Sequence, residues 1–206
     1  MRSEEHWDAV YERKRPDEVS WYRSHLERSL QFIDAAGLAP EAAIIDVGGG
    51  ASTLVDDLLA RGYSNVTVLD ISPTAIAAAK QRLADRAALV HWLVADITRV
   101  ELAPDTYDFW HDRAVFHFLG DDEQRRRYVA AAKRSVKPGG HVLVATFGPE
   151  GPTRCSGLDV VRYGADELHA QFGGDFQKVG TATETHTTPW GAAQQFVYCY
   201  CRLQKS

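Results

Sequence analysis

Four carboxylates in this chain each stand at or near the end of a short apolar run. They are Asp46 in Ile44-Ile-Asp-Val, Asp70 in Val-Thr-Val-Leu-Asp, Asp96 in Val-Ala-Asp-Ile-Thr and Asp112 in Tyr-Asp-Phe-Trp-His-Asp-Arg. Asp46 is followed almost at once by Gly48-Gly-Gly-Ala-Ser52. A glycine-rich turn between a buried strand and a helix lets backbone approach a ligand closely and presents the helix's unpaired N–H groups. An acid roughly 20 residues further on, at the end of the next strand, accepts hydrogen bonds from a ribose diol. Asp70 fits that position, and Asp96 could meet an adenine amino group. Any one of these acids reads equally well as a helix N-cap. All four, in step with four successive strands, mark the rim where open α/β sheets bind ligands.

The elements needed to hold those acids follow from periodicity. Short apolar runs at Ala43–Val47, Val66–Asp70, Val90–Ala95, Tyr107–His111 and His141–Phe147 alternate with helical patterns, the signature of βαβ units and a mostly parallel sheet. Leu54, Val55, Leu58 and Leu59 recur at helical spacing before Gly62. Ser72-Pro73 supplies N-cap and N1 for a helix striped by Ile76, Ala79 and Leu83. Asp121 and Gln124 read as a capping box for the helix carrying Tyr128, Val129, Ala132 and Val136. Turn formers crowd 148–163, a short helix is expected at Ala165–Phe172, and two strands at Phe176–Glu184 and Gln194–Leu203 flank Thr187-Thr-Pro-Trp-Gly. Residues 1–36 read as helical, with Ser24 and Glu27 as a further capping box and Leu26, Leu30 and Ile33 as a stripe.

Composition bounds the class. The chain has 206 residues, 23 Lys+Arg against 28 Asp+Glu, a net charge of −5 and 45% hydrophobic residues, which is ordinary globular usage. It is read as one domain, 1–206, in three stretches: a helical lid over 1–36, a cofactor-binding βαβ core over 43–147, and a substrate-side loop, helix and hairpin over 148–206. No apolar run approaches the ~20 residues that span a bilayer, and the polar start is unlike a signal peptide. Three cysteines form neither a disulfide framework nor a zinc pattern, so no metal is expected and a reduced, cytoplasmic setting is. Without a Lys/Arg block, nucleic acid and membrane are not expected partners.

These motifs resemble the class I S-adenosylmethionine-dependent methyltransferases. The resemblance rests on Ile-Asp-Val-Gly-Gly-Gly, Val-Leu-Asp-Ile-Ser, Val-Ala-Asp-Ile, Tyr-Asp-Phe-Trp-His-Asp-Arg and Lys-Pro-Gly-Gly-His-Val-Leu-Val-Ala, and covers residues 43–147. It implies a Rossmann-like seven-stranded sheet, mostly parallel, with an antiparallel C-terminal hairpin and helices on both faces. It also implies S-adenosylmethionine as cofactor, with S-adenosylhomocysteine as product. Asp46 would lie near the methionine ammonium, Gly48 and Gly50 beneath the cofactor, Asp70 with Ile71 at the ribose, and Asp96 with Ile97 around adenine. The family's third loop glycine falls on Ser52, and Trp21 and Asp112 complete the expected cofactor set. A dinucleotide fingerprint starting at Gly48 would need glycine at 53, where Thr53 stands, so an NAD-dependent oxidoreductase is the weaker reading.

The acceptor side is read less sharply. A sulfonium carries its own leaving group, so the protein chiefly aligns a nucleophile and excludes water. His117, between Phe116 and Phe118, is either a base, with Asp112 beside it, or a packed histidine. Trp21 and Tyr22 either close over the sulfonium by cation–π attraction or pack on the sheet. Arg113 is an anion contact or a salt bridge to Asp112; Arg154 could anchor a carboxylate and Cys155 contact a soft acceptor. His186 and Trp190 lie in the last turn, within reach of an acceptor or only structural. Cys199 and Cys201 share one face of a strand and read as core filling. Strand-four Asp-Arg-x-x-Phe resembles small thiol and thiopurine methyltransferases, implying a small-molecule acceptor, a thiol or other soft nucleophile, for a monomer or homodimer. The layout Trp7-Asp-x-x-Tyr11 with Ser20-Trp-Tyr also looks like a branch that methylates protein lysines. A non-catalytic cofactor-binding module is the remaining alternative.

Overall fold

A computed structural model describes residues 3–13 and 15–204; the terminal residues and Lys14 of the expected lid and hairpin segments lie outside them. Helix α1 (Ser3–Arg13) and α2 (Glu27–Ala35) precede β1 (Ala43–Val47), α3 (Leu54–Ala60), β2 (Asn65–Asp70), α4 (Pro73–Leu83) and β3 (Val90–Val94). Then come β4 (Tyr107–Arg113), α5 (Asp122–Ser135), β5 (Val136–Phe147), the short β6 (Arg154–Cys155) and β7 (Leu158–Asp159), α6 (Ala165–Phe172), β8 (Phe176–Thr187) and β9 (Ala193–Leu203). Seven strands form one sheet in the order β3-β2-β1-β4-β5-β9-β8. The first five are parallel, and β9 pairs antiparallel with both β5 and β8. The sheet and its antiparallel hairpin are as the sequence predicts. None of the described helices is long and apolar enough to cross a membrane.

Each face of the sheet carries its own core. On one, Ile45, Trp110, Val142 and Val144 meet Tyr128 and Ala132 of α5 and Leu168 and Phe172 of α6. On the other, Ile44, Val66, Val68 and Phe109 meet Leu30 and Ile33 of α2, Leu54 and Leu58 of α3 and Ile76 of α4. β1 is buried at all five positions, as expected of a central parallel strand covered on both faces. Local signals hold where they are strongest. Ser72 accepts a hydrogen bond from Ala75 N–H with Pro73 opening α4, and Asp121 accepts from Gln124 N–H at the start of α5.

The N-terminal expectation needs correction. The described residues of 1–36 are not one helical stretch: a 3-10 turn at Pro16–Glu18 and an irregular run from Val19 to Leu26 separate α1 from α2. Ser24 makes no capping box, because α2 begins after Leu26, which offers no side-chain cap. The neighbouring Arg23 is drawn instead to Glu184 and His186 on β8, at 2.8 and 3.1 Å, and that pull holds the segment extended. Residues 148–163 also contain a two-stranded hairpin, β6 with β7, where only turns were expected.

Candidate active site

The strand ends of β1, β2, β3 and β4 open into one cavity, with an empty volume of about 1350 Å³ including its mouth. Its floor is the turn after β1. Gly48 N–H and Gly49 N–H both donate to Leu69 O, at 2.7 and 3.2 Å, and Gly48 sits at φ +70°. A Cβ at Gly48 would overlap Val115, one at Gly49 the Asp46 carboxylate, and one at Gly50 the Asp70 carboxylate. The glycines therefore leave room for two acids to lie against backbone. Gly48, Gly49, Ser52 and Ile71 line the cavity, while Gly50 supports Asp70 from beneath. The Ser52 hydroxyl accepts from Leu54 N–H at the start of α3, at 3.2 Å.

Asp70 closes β2, buried, with its Oδ1 accepting from Ser72 N–H at 2.8 Å. Burial raises its pKa to about 7 against the N–H groups that pull it down, and the nearby Asp46 carboxylate adds to the rise. Asp96 caps the turn after β3, accepting from Thr98 N–H and Oγ1 at 2.9 and 2.7 Å, and still lines the cavity beside Ile97. Asp46 is held by a residue that sequence reasoning passed over. His111 Nδ1 lies 2.7 Å from Asp46 Oδ1, and His111 Nε2 lies 2.8 Å from the Ser29 hydroxyl on α2. The other carboxylate oxygen of Asp46 is buried without a hydrogen-bond partner. A buried orphan acceptor facing a cavity is where an ammonium would be stabilised.

β1 and β4 are paired so that Asp46 stands beside His111 and Val47 beside Asp112. Because side chains alternate along a strand, His111 and Arg113 face the cavity and Asp112 faces away. Asp112 is fully buried, accepting from Val115 N–H (2.8 Å), Phe116 N–H (3.1 Å) and the Tyr128 hydroxyl (2.7 Å). Its burial raises its pKa to about 6. The structure therefore corrects the expectation for Asp112: it braces the turn behind β4 and lines no part of the cavity.

His117 is corrected likewise. It is fully buried off the cavity, in a 3-10 turn at Phe116–Phe118, with Nδ1 accepting from Phe147 N–H at 3.2 Å. Burial, aided by the Arg113 charge, lowers its pKa to about 3, so it stays neutral. Arg154 is also off the cavity, donating to Gly157 O at 2.6 Å and pairing with Asp159 at 3.1 Å within its own hairpin. His186 is buried behind the wall, its Nε2 donating to Ser20 O at 2.7 Å; it fixes the extended segment without lining the cavity. Trp190, at the hairpin tip, is 60% exposed and equally remote.

The remaining wall is aromatic and cationic. Trp7 and Tyr11 of α1, which sequence reasoning did not place in the site, meet Trp21 edge-on at ring separations of 5.9 and 6.3 Å, and Trp7 meets Phe118 at 5.0 Å. Tyr22 and the buried Cys155 join them, and Cys155 is the part of 148–204 that reaches the cavity. Arg113 is not paired with Asp112. It donates to Trp21 O at 3.1 Å and to the Tyr198 hydroxyl at 3.2 Å, and its guanidinium sits 4.2 Å above the Phe196 ring. Its second terminal nitrogen, Nη2, is buried without a partner. The cavity thus joins a half lined by acids and glycines to an aromatic half that also carries Arg23 and Arg113.

A family model described as "Methyltransferase domain" matches residues 45–144. The malonyl-[acyl-carrier protein] O-methyltransferase of Paenibacillus sp. (strain JDR-2) is 28% identical over 191 residues, covering 88% of this chain and 66% of that protein. EEF1A lysine methyltransferase 2 of Homo sapiens is 24% identical over 160-odd positions (164 residues), covering 71% of this chain and 68% of that one. The chain therefore spans about two thirds of the length of these curated relatives. Among solved structures, the N-methyltransferase NodS of Bradyrhizobium japonicum WM9 in complex with S-adenosyl-L-homocysteine superposes with a TM-score of 0.74 at 19% identity, covering 96% of this chain and 98% of that chain.

Proposed function

Starting from a chain that belongs to the class I S-adenosylmethionine-dependent methyltransferases, we propose that it methylates a small soft nucleophile, a thiol in the first instance. Asp70 holds the ribose hydroxyls, Asp96 with Ile97 flanks the adenine, and Asp46 receives the methionine ammonium on its open oxygen. The bound cofactor supplies a methyl group on a positively charged sulfur. Trp7, Tyr11, Trp21 and Phe118 surround the adjoining space, excluding water and favouring positive charge through their ring faces. Residues 1–36 serve as the lid, 43–147 as the cofactor core and 148–206 as the acceptor-side stretch.

One observation carries the acceptor class. His111 is the imidazole of the cavity wall, and both of its ring nitrogens are already engaged, with Asp46 and Ser29. An acceptor that needs its proton removed finds no open imidazole there. A thiol does not need one, since a thiolate is appreciably populated near neutral pH and is intrinsically nucleophilic. Arg113, whose buried Nη2 is uncommitted, favours that anionic form and would orient a carboxylate on the same molecule. The malonyl relative and the lysine methyltransferase keep a carboxyl and a protein amine as competing acceptors, and the aromatic layout Trp7, Tyr11, Trp21 favours the latter of these.

The test is incubation of labelled cofactor with a panel of small thiols, carboxylates and amines, alongside cell extract divided by a size cutoff. Label in a small thiol is expected. Label confined to protein bands would replace this reading with the lysine one, and binding without turnover on any acceptor would leave a cofactor-binding module. Calorimetry in which NAD binds and S-adenosylhomocysteine does not would remove the family's activity altogether.

A further inference from the structure

Three metal-binding side chains meet away from the cavity, between α6 and β9. Cys199 and Cys201 alternate in β9 with Tyr198 and Tyr200, so both thiols leave the sheet on one face. Helix α6 lays His169 over them. The two Sγ atoms are 3.4 Å apart, and His169 Nδ1 lies 3.4 Å from Cys201 Sγ. All three donor atoms fall within 4.8 Å of one another. Both thiols are buried and His169 is partly exposed, so the cluster has a side open to solvent. None of the three lines the cofactor cavity.

We propose that His169, Cys199 and Cys201 form a binding site for a thiophilic divalent cation, with Zn²⁺ as the occupant. Tetrahedral zinc with Zn–S of about 2.3 Å and Zn–N of about 2.0–2.1 Å sets its ligand atoms about 3.8 Å (S to S) and about 3.5 Å (S to N) apart. The two shorter separations in the cluster are within a few tenths of an ångström of those edges. Binding exchanges protons for metal: Zn²⁺ plus two thiols gives a zinc dithiolate plus two protons, which go to solvent. The dithiolate cancels the charge of the ion, so the buried unit is neutral. The imidazole enters as a neutral ligand through Nδ1, and three protein ligands leave a fourth position for water. Lys178, on the neighbouring strand opposite Cys201, is tied to Asp166 at 2.5 Å. Sequence spacing hides this site, because two ligands are close neighbours on a strand and the third comes from an earlier helix.

The experiment uses the full chain, reduced and stripped by a chelator, titrated with Co²⁺ as a spectroscopic stand-in and then with Zn²⁺. One saturable equivalent with thiolate-to-cobalt charge-transfer absorption is expected, displaced stoichiometrically by Zn²⁺. Cys201→Ser should abolish that absorption, His169→Gln should weaken Zn²⁺ at least tenfold, and Cys155→Ser should leave Zn²⁺ affinity within twofold. Absence of the band in the parent protein, or its survival in Cys201→Ser, overturns the proposal. Where a thiol variant does not fold, His169→Gln on the partly exposed helix decides it alone, and unchanged Zn²⁺ affinity there is refutation. None of these readouts depends on methyl transfer.

Discussion

Asp70 offers the sharpest quantitative test. Its carboxyl has an ordinary value of 3.8 and stands at about 7 here, raised by burial and by Asp46. A pair of ribose hydroxyls donates far more strongly to the ionised form, so binding below pH 7 is coupled to release of a proton. With one such group, the apparent Kd for S-adenosylhomocysteine scales as one plus the ratio of protonated to ionised carboxyl, giving about a tenfold weakening from pH 8 to pH 6. Stability of the unliganded protein runs the other way. A carboxyl raised in the folded state contributes stability that is present below its unfolded value and lost as pH rises through about 7. From pH 6 to pH 8 that loss is on the order of 1 kcal/mol, part of a full span of about 4 kcal/mol. Asp70→Asn removes both dependences. The assay is calorimetric titration and urea unfolding of both proteins at pH 6, 7 and 8, read as the difference between them, so that titration of the ligand and of other groups cancels. The variant should bind about 10–100-fold more weakly at pH 8, the loss of one charged hydrogen bond, with a flatter pH profile. Parallel profiles for the two proteins, in either assay, would refute the assignment of Asp70.

Other perturbations separate binding from bracing. Arg113→Met should raise KM for a thiol acceptor about tenfold or more with kcat nearly unchanged; an unchanged KM removes Arg113 from the acceptor side. Asp112→Ala strands the Val115 and Phe116 N–H groups and the Tyr128 hydroxyl, so urea unfolding should show a loss of about 2–4 kcal/mol. Cofactor affinity of the folded variant should stay within a few-fold, and a fall in affinity without a fall in stability would return Asp112 to the cofactor site. Ser29→Ala frees His111 Nε2 and loosens its hold on Asp46, so cofactor affinity should drop about 3–10-fold. No change in affinity would mean that Asp46 is held without it.

That Asp46, Gly48, Asp70 and Asp96 line one cavity was legible in the sequence, for a physical reason. Glycines that admit backbone and acids that end strands must sit at fixed distances along a βαβ chain, so Asp46, Gly48, Asp70 and Asp96 are readable from spacing. Asp112 was misplaced because the run Trp-His-Asp-Arg does not say which residues face which side. Only the pairing of β1 with β4 shows that His111 and Arg113 share the face of Asp46. That same alternation, applied from Asp46 across the register, was the signal available for His111. Arg154 and His186 were assigned from their order along the chain, but Arg154 is taken up by Asp159 within its own hairpin and His186 by the distant Ser20. Trp7 and Tyr11 were legible only as a family pattern, since nothing local in α1 points it towards the glycine turn.

The arrangement of the last two strands bears on how the sheet is assembled. β8 precedes β9 along the chain, yet its neighbour in the sheet is β9, and only β9 touches β5. While β8 is being made it has no edge to join, and its twelve residues must wait for a strand that lies beyond the turn at 188–192. The pair is therefore expected to zip locally first and dock as a ready-made ribbon, with the long-separation contact between β5 and β9 as the late and slow event. Until then β5 is an open apolar edge of the kind that recruits strands from other molecules, so the interval before docking is when this chain is most prone to clump.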